Sequence, residues 1–216
     1  MSKRYLALSI LMILAALAAT AVYYPDLPAA VPLHWDADGH INRYGPRSML
    51  LLFGPGAMGA TLLLGLALPS LSPRRFEVSS FTPTYSYVIA VLVAMFGALY
   101  ALLLMAALGR GVPLPCALQG GLFVLLILIG NPLGKVRRNF FIGVRTPWTL
   151  ASDRVWYATH RLAAKLMVVS GVAGLLAVAA GAPHWLLLAL GIGWAVVPVL
   201  YSLMFYKRLQ RTGQLG

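Results

Sequence analysis

Six apolar runs, each long enough to cross a bilayer, constrain what this chain can fold into more than any other feature. They cover residues 5–24, 49–71, 85–108, 114–133, 162–180 and 183–205, and none carries a charged residue in its interior, Lys165 lying in the first turn of the fifth. About 20 mostly apolar residues are needed because an α-helix must cross ~30 Å of hydrocarbon while satisfying its own backbone bonds. Composition agrees: of 216 residues, 60% are hydrophobic and 10% charged, against ~25% charged in a soluble domain. A water-soluble protein this apolar could not cover its own surface. The length suits one compact membrane domain and leaves no room for a separate globular one. The expected fold is therefore an all-α membrane protein, a bundle of about six transmembrane helices. Residues 1–110 would supply three spans and a loop at 25–48, and residues 111–216 three more spans and a loop at 134–161.

The net charge is +12. A basic excess can signal nucleic-acid binding, but these charges cluster at the ends of the apolar runs, as topology determinants do. No nucleic acid is expected as a partner; the bilayer is. With the N-terminus inside, the inner side holds Lys3, Arg4, Arg74, Arg75, Lys135, Arg137, Arg138, Arg145, Arg154, Arg161, Lys165, Lys207, Arg208 and Arg211, and the outer side Arg43, Arg47 and Arg110. That division, 14 against 3 of the 17 basic residues, places both termini and the 134–161 loop in the cytoplasm and the 25–48 loop outside. The expected location is a cell membrane, as a multi-pass protein. The first run has a rival reading. Lys3-Arg4, an apolar stretch and Ala16-Leu17-Ala18 follow the order of a secretory signal. The stretch exceeds the usual ~7–15 residues of a signal core, so a retained helix is expected; cleavage would leave five spans with every later loop on the same side.

Cys116 is the sole cysteine, so no intrachain disulfide forms, and it reads as a small apolar filler near a helix start. Small residues recur at close-packing spacing, at Gly56 and Ala60, Gly97 and Ala101, Ser170 and Gly174, and Ala189 and Gly193. Helices packed on one another use such pairs, although plain apolar composition also produces them. Pro55, between Gly54 and Gly56, and Pro198 are expected to kink their helices by removing a backbone donor.

Two loops carry the specific information. In the outer one, Val31 to Trp35 reads as extended because Pro32 restricts its neighbours, and Asp38-Gly39 as a tight turn. His34, Asp36, Asp38 and His40 would share a side of an extended chain, a set with the chemistry to hold a transition metal. The turn at Gly39 breaks the alternation and no zinc spacing is matched, so no metal and no cofactor is expected; the aspartates would satisfy turn amides instead. The inner loop, entered through Asn131, Pro132 and Gly134, is long for a link between packed helices, where ~2–8 residues is usual. It is also dense in aromatic residues and arginine. Ser152 suits an N-cap and Asp153 a first turn, so a helix should begin near Asp153 and continue into the fifth span, with Trp156 and His160 four apart on one face. An interfacial helix with Trp at headgroup level and Arg reaching lipid accounts for much of this composition. It does not account for the Gly, Asn, Arg and Pro crowded between Asn131 and Trp148.

These two loops carry a family resemblance. Gly130-Asn131…Gly134-Lys135…Asn139-Phe140-Phe141-Ile142-Gly143-Val144-Arg145-Thr146-Pro147-Trp148-Thr149-Leu150…Val155-Trp156…Thr159-His160-Arg161 resembles the SdpI family of bacterial membrane proteins. Pro32-Leu33-His34-Trp35-Asp36…Gly39…Tyr44-Gly45 resembles the domain of unknown function at the N-terminus of those proteins, with Asp36 where Asn often stands. The resemblance implies immunity against a secreted peptide toxin met outside, and signalling by holding a small transcriptional repressor at the inner face. Many members have no evident toxin partner, so it speaks more directly to fold and topology. The candidate binding residues are Asn131, Lys135, Asn139, Arg145, Thr146, Trp148, Trp156, His160 and Arg161, with His34 on the other side.

Three classes of function compete. A non-enzymatic binding and signalling protein fits the long basic loop best. A small-molecule or peptide transporter or channel is the alternative, but such proteins place ionisable groups or broken helices at mid-membrane, and here only Gly54-Pro55-Gly56 hints at one. An enzyme needs positioned titratable groups, and the inner side offers only Asp153, His160 and Glu77, with no Gly-x-Ser-x-Gly, His-Glu-x-x-His or phosphate-binding glycine loop.

Overall fold

The computed structural model describes residues 1–36, 39–72 and 78–215. Six helices in it are long and apolar enough to cross a membrane: Lys3–Asp26, Met49–Leu71, Val78–Ala107, Leu114–Leu133, Asp153–Ala179 and His184–Arg211. All six expected runs are helical. The fifth begins nine residues before the apolar run at 162–180, because its first turns are polar yet still helical. The sixth runs on through Lys207 and Arg208 for the same reason.

The elements are α1 (Lys3–Tyr23), β1 (Ala30–Trp35), β2 (Ile41–Pro46), α2 (Met49–Leu51), α3 (Ala57–Ala67), α4 (Thr82–Ala107), α5 (Leu114–Leu133), α6 (Pro147–Ala151), α7 (Asp153–Ala179) and α8 (His184–Arg211). They group into two compact units, Met1–Ala67 with Ser86–Gly121 and Leu68–Tyr85 with Leu122–Gly216. Large apolar side chains face outward along the spans. On α8, Trp185, Leu188, Ile192, Val196, Leu200 and Met204 are each more than half exposed. That three-to-four-residue spacing makes a continuous stripe, which is tolerable only where lipid replaces water.

In the first unit, Thr20 on α1 donates to the Ala16 carbonyl at 2.8 Å and lies 2.5 Å from the Tyr100 hydroxyl on α4. The second span breaks where the Gly-Pro-Gly sequence required. Residues 52–56 form a π-turn in which Gly54 leaves helical geometry at φ −97°, ψ −105°. The Tyr100 ring packs directly on Gly54, so the break is filled by an aromatic side chain. The 25–48 segment adds an antiparallel hairpin of β1 and β2 to the helical frame. Val31 anchors it with no exposed surface, and Arg47 ties its base to the end of α1 through the Tyr24 and Leu27 carbonyls, 3.2 Å each.

The histidine–aspartate set of this hairpin is spent locally. His34 Nδ1 lies 2.7 Å from Asn42 Oδ1. The Asp36 carboxylate accepts the His40 amide at 2.8 Å and lies 3.6 Å from its ring. Asp38 lies outside the described residues. Cys116 sits near the start of α5 as expected, but it is exposed rather than packed as filler.

In the second unit α5, α7 and α8 pack closely through small residues. A side chain at Gly171 would come within 2.8 Å of the Phe123 carbonyl, and one at Gly130 within 2.7 Å of Met167. Gly174 lies flat against the Phe123 ring, and the Ser170 hydroxyl donates to the Leu190 carbonyl across to α8. The Ser170 and Gly174 pair therefore makes helix contacts. Gly193, by contrast, has nothing near its Cα face.

Candidate functional site

The 134–161 loop folds back onto the first turns of α7. Its start rests on that helix, a Cβ at Gly134 lying in ordinary contact with it, 3.5 Å from Arg161 Cγ and 3.9 Å from Ala164 Cβ. Val136 is fully buried, and its carbonyl accepts the Trp156 indole N–H at 2.8 Å. Trp156 is itself buried and stacks on His160, with ring centroids 3.9 Å apart and 22° between planes. The expected shared face of Trp156 and His160 is thus a stacked pair in the interior.

Asn139 organises the middle of the loop. It is fully buried. Its amide nitrogen donates to the carbonyls of Arg137 at 2.7 Å and Ile142 at 3.2 Å. Its amide oxygen accepts the backbone N–H groups of Phe141 at 2.7 Å and Ile142 at 2.8 Å. Two donors and two acceptor positions are the whole capacity of an asparagine amide, so nothing remains for a ligand. Asn139 shapes the turn from within.

The next contact depends on a glycine. Gly143 has φ +117°, and a side chain there would strike the His160 imidazole. With only hydrogen at Gly143, the Val144 N–H reaches His160 Nε2 at 2.9 Å, while His160 Nδ1 faces the Trp156 carbonyl at 2.7 Å. Nδ1 must carry the proton to donate to that carbonyl, and Nε2 must be free to accept. Both nitrogens of this buried, neutral ring are engaged with backbone, which leaves no lone pair for acid–base work or a metal.

Helix α6 closes the loop. Thr146 is its N-cap and forms a reciprocal capping box with Thr149, while Pro147 occupies the first turn, where no N–H is needed. Thr149 also donates to the Val144 carbonyl at 2.8 Å. The Trp148 indole donates to the Ser202 hydroxyl on α8, which in turn donates to the Val199 carbonyl at 2.6 Å. Arg138 secures the junction with α7, donating to the Leu150 carbonyl at 2.8 Å and meeting Asp153 at 3.0 Å. Ser152 holds the N-cap position of α7, but its hydroxyl makes no cap bond and lies buried without a partner among the described residues.

The candidate residues therefore divide. Asn139, Thr146, Trp148, Trp156 and His160 build the loop from inside. Asn131, Lys135, Arg145 and Arg161 are exposed on it. Arg145 donates through Nη1 to the Phe140 carbonyl, leaving the rest of its guanidinium outward. His34 belongs to the other unit. Sequence reasoning missed Ser202, Arg138 and Thr149. Ser202 had a signal, as a polar residue in an apolar span. Thr149 had one too, three residues after the Thr146 of a Thr-Pro pair. The Arg138–Asp153 pairing had none.

Comparison with known proteins follows the same division of the chain. Residues 135–202 match the model of the SdpI/YfhL protein family, and residues 11–59 match the Domain of unknown function (DUF1648). The Immunity protein SdpI of Bacillus subtilis (strain 168) is 24% identical over 204 residues, covering 94% of this chain and 96% of that protein. No solved structure matches the chain. The matched region holds nearly all of the motif-bearing loop, all of α7 and the first two thirds of α8, and the chain, a multi-pass protein of the bacterial inner membrane, resembles the SdpI family there.

Proposed function

We propose that this protein is a non-enzymatic immunity protein of the membrane. It protects its cell against a secreted peptide toxin, and it signals by holding a small transcriptional repressor at the inner face. The observation that carries the reading is the 134–161 loop: a buried scaffold of Asn139, Trp156 and His160 holding a rim of exposed cations at defined positions. A connector needs no such scaffold. Similarity along nearly the whole length to a protein named for immunity supports the same reading. The filled break at Gly54 favours it over a transporter, because the Tyr100 ring occupies the gap.

Protection against a cognate toxin, at matched membrane expression, tests the site. A lipid anchor depends on charge, at ~1 kcal/mol per basic residue near the surface, so Arg145→Lys would leave it unchanged. A specific site uses the planar guanidinium fork that Lys lacks. Arg145→Lys is expected to reduce protection at least about tenfold in tolerated toxin, the effect of ~1.4 kcal/mol, while Arg208→Ala at the end of α8 has little effect. Equal protection by both variants and the parent would reject the site.

In the orientation proposed here, both termini and the 134–161 loop are cytoplasmic and the hairpin is external. Ala151 and Ala29 are exposed and suit cysteine reporters, whereas Ser152 is only 3% exposed and does not. In a Cys116→Ser background, an impermeant thiol reagent should label Ala29→Cys in intact cells and Ala151→Cys only after permeabilisation. Labelling of Ala151→Cys in intact cells would overturn the orientation.

A further inference from the structure

Lys135, Arg145 and Arg161 are far apart in sequence, yet the fold packs the neighbours of the first two onto the first turns of α7. Gly134 packs against Arg161 itself. Gly143 and Val144 pack against His160, the residue before it. Lys135 follows the first contact by one residue and Arg145 the second by one. Lys165 is four residues after Arg161 and shares its helix face, and side chains on a helix lean toward its N-terminus, here toward the loop. All four are exposed. The sole carboxylate among the described residues of this unit, Asp153, is engaged by Arg138. Four exposed cations thus gather around the first turns of α7, near the end of α5, and among the described residues of the unit the one carboxylate is already paired with Arg138. Phe140 is 37% exposed and offers its carbonyl to Arg145.

We propose that Lys135, Arg145, Arg161 and Lys165 hold the phosphate of an anionic phospholipid headgroup. The inference rests on the reading of the 134–161 loop as the functional site and gives that site a ligand. Charge complementarity selects a phosphate-bearing anion: guanidinium groups bind phosphate by paired donors, and Lys adds a point charge. The place selects a lipid. Basic pockets between transmembrane helices at the membrane surface bind anionic headgroups, and the cluster lies beside two helix ends with Lys165 already below the loop. A soluble anion would have no need of Lys165 or the exposed Phe140 ring.

The test uses the full chain in nanodiscs of phosphatidylcholine containing graded amounts of phosphatidylglycerol, with bound lipid counted by native mass spectrometry. One phosphatidylglycerol should be retained per chain. Arg145→Ala with Arg161→Ala should weaken retention about 30-fold, from ~1 kcal/mol for each basic residue. Arg208→Ala with Arg211→Ala removes the same charge from the end of α8, outside the cluster, and should change retention less than about threefold, because such attraction falls off within a Debye length. If the alanine pair unfolds, Arg145→Gln with Arg161→Gln keeps the side-chain bulk and carries the comparison. Equal losses in the site and α8 variants would overturn the proposal, as would no retained phosphatidylglycerol. Inorganic phosphate, added to phosphatidylcholine nanodiscs, should not raise the melting temperature. An increase abolished by the site variant would assign a soluble anion and reject the lipid. Retention is scored without toxin, so its failure leaves the protection result for Arg145→Lys standing, and loss of the protection effect leaves the lipid result standing.

Discussion

Gly143→Ala is expected to cost about 2–6 kcal/mol and to release the loop from α7. Two terms add. A non-glycine residue held at φ +117° carries strain of ~1–3 kcal/mol. The new methyl group also strikes the His160 imidazole, so the ring must move and the Val144 N–H loses its acceptor. An unpaired buried donor costs a further ~1–3 kcal/mol. The sum is comparable to the whole stability of a marginal domain. Denaturant unfolding in lipid–detergent micelles measures it, and trypsin cleavage after Arg137 and Arg145 reports the loosened loop. A double-mutant cycle identifies the cause. In a His160→Ala background the collision is absent, so Gly143→Ala should cost ~1–2 kcal/mol less than in the parent, within the range seen for contacting residues. A single-variant cost below about 1 kcal/mol would contradict the contact, on the same strain scale.

Asn139→Ala should be nearly as damaging, at about 2–4 kcal/mol, through hydrogen bonding alone. It leaves the N–H groups of Phe141 and Ile142 and the carbonyls of Arg137 and Ile142 without their partner. Asn139→Asp retains both acceptors but sets a carboxylate against two carbonyl oxygens, so it should also destabilise the turn. The functional consequence reaches Arg145. Asn139 shapes the turn that presents the Phe140 carbonyl, and that carbonyl holds the Arg145 guanidinium. Asn139→Ala should therefore lower toxin protection as much as Arg145→Lys does, although Asn139 is fully buried and makes no outward contact. Protection equal to the parent, with faster proteolysis of the loop, would show that turn geometry is irrelevant to the site.

The spans were legible because a transmembrane helix is a local object. About 20 apolar residues satisfy their own backbone bonds and bury themselves in lipid, so composition alone settles the matter. The break at Gly54-Pro55 was legible for the same reason, since Pro55 removes a donor whatever surrounds it. The start of α7 at Asp153 followed from Ser152 and Asp153, although the Ser152 hydroxyl makes no cap bond; the dihedral preference was enough. The capping box of α6 passed unread because Thr146-Pro147-Trp148-Thr149 is too short to show periodicity. The second strand, Ile41–Pro46, was likewise invisible until paired with β1.

The loop motif marked the residues of the site without separating their roles. Asn139 and Arg145 were indistinguishable as polar residues of one segment. Burial divides them, and burial depends on which backbone folds over which side chain. Trp148 and Ser202 are 54 positions apart, and Val144 and His160 are 16 apart. No spacing rule links such pairs, because each bond exists only once α5, α7 and α8 have packed. The sequence by itself determined the membrane, the number of spans and the excess of positive charge, all of which are sums over local residues. Only the tertiary structure decided that His160 holds backbone, that Asn139 has no free valence, and that Gly134 and Val144, the neighbours of Lys135 and Arg145, pack on Arg161 and His160, because these follow from close contacts between segments the chain keeps apart.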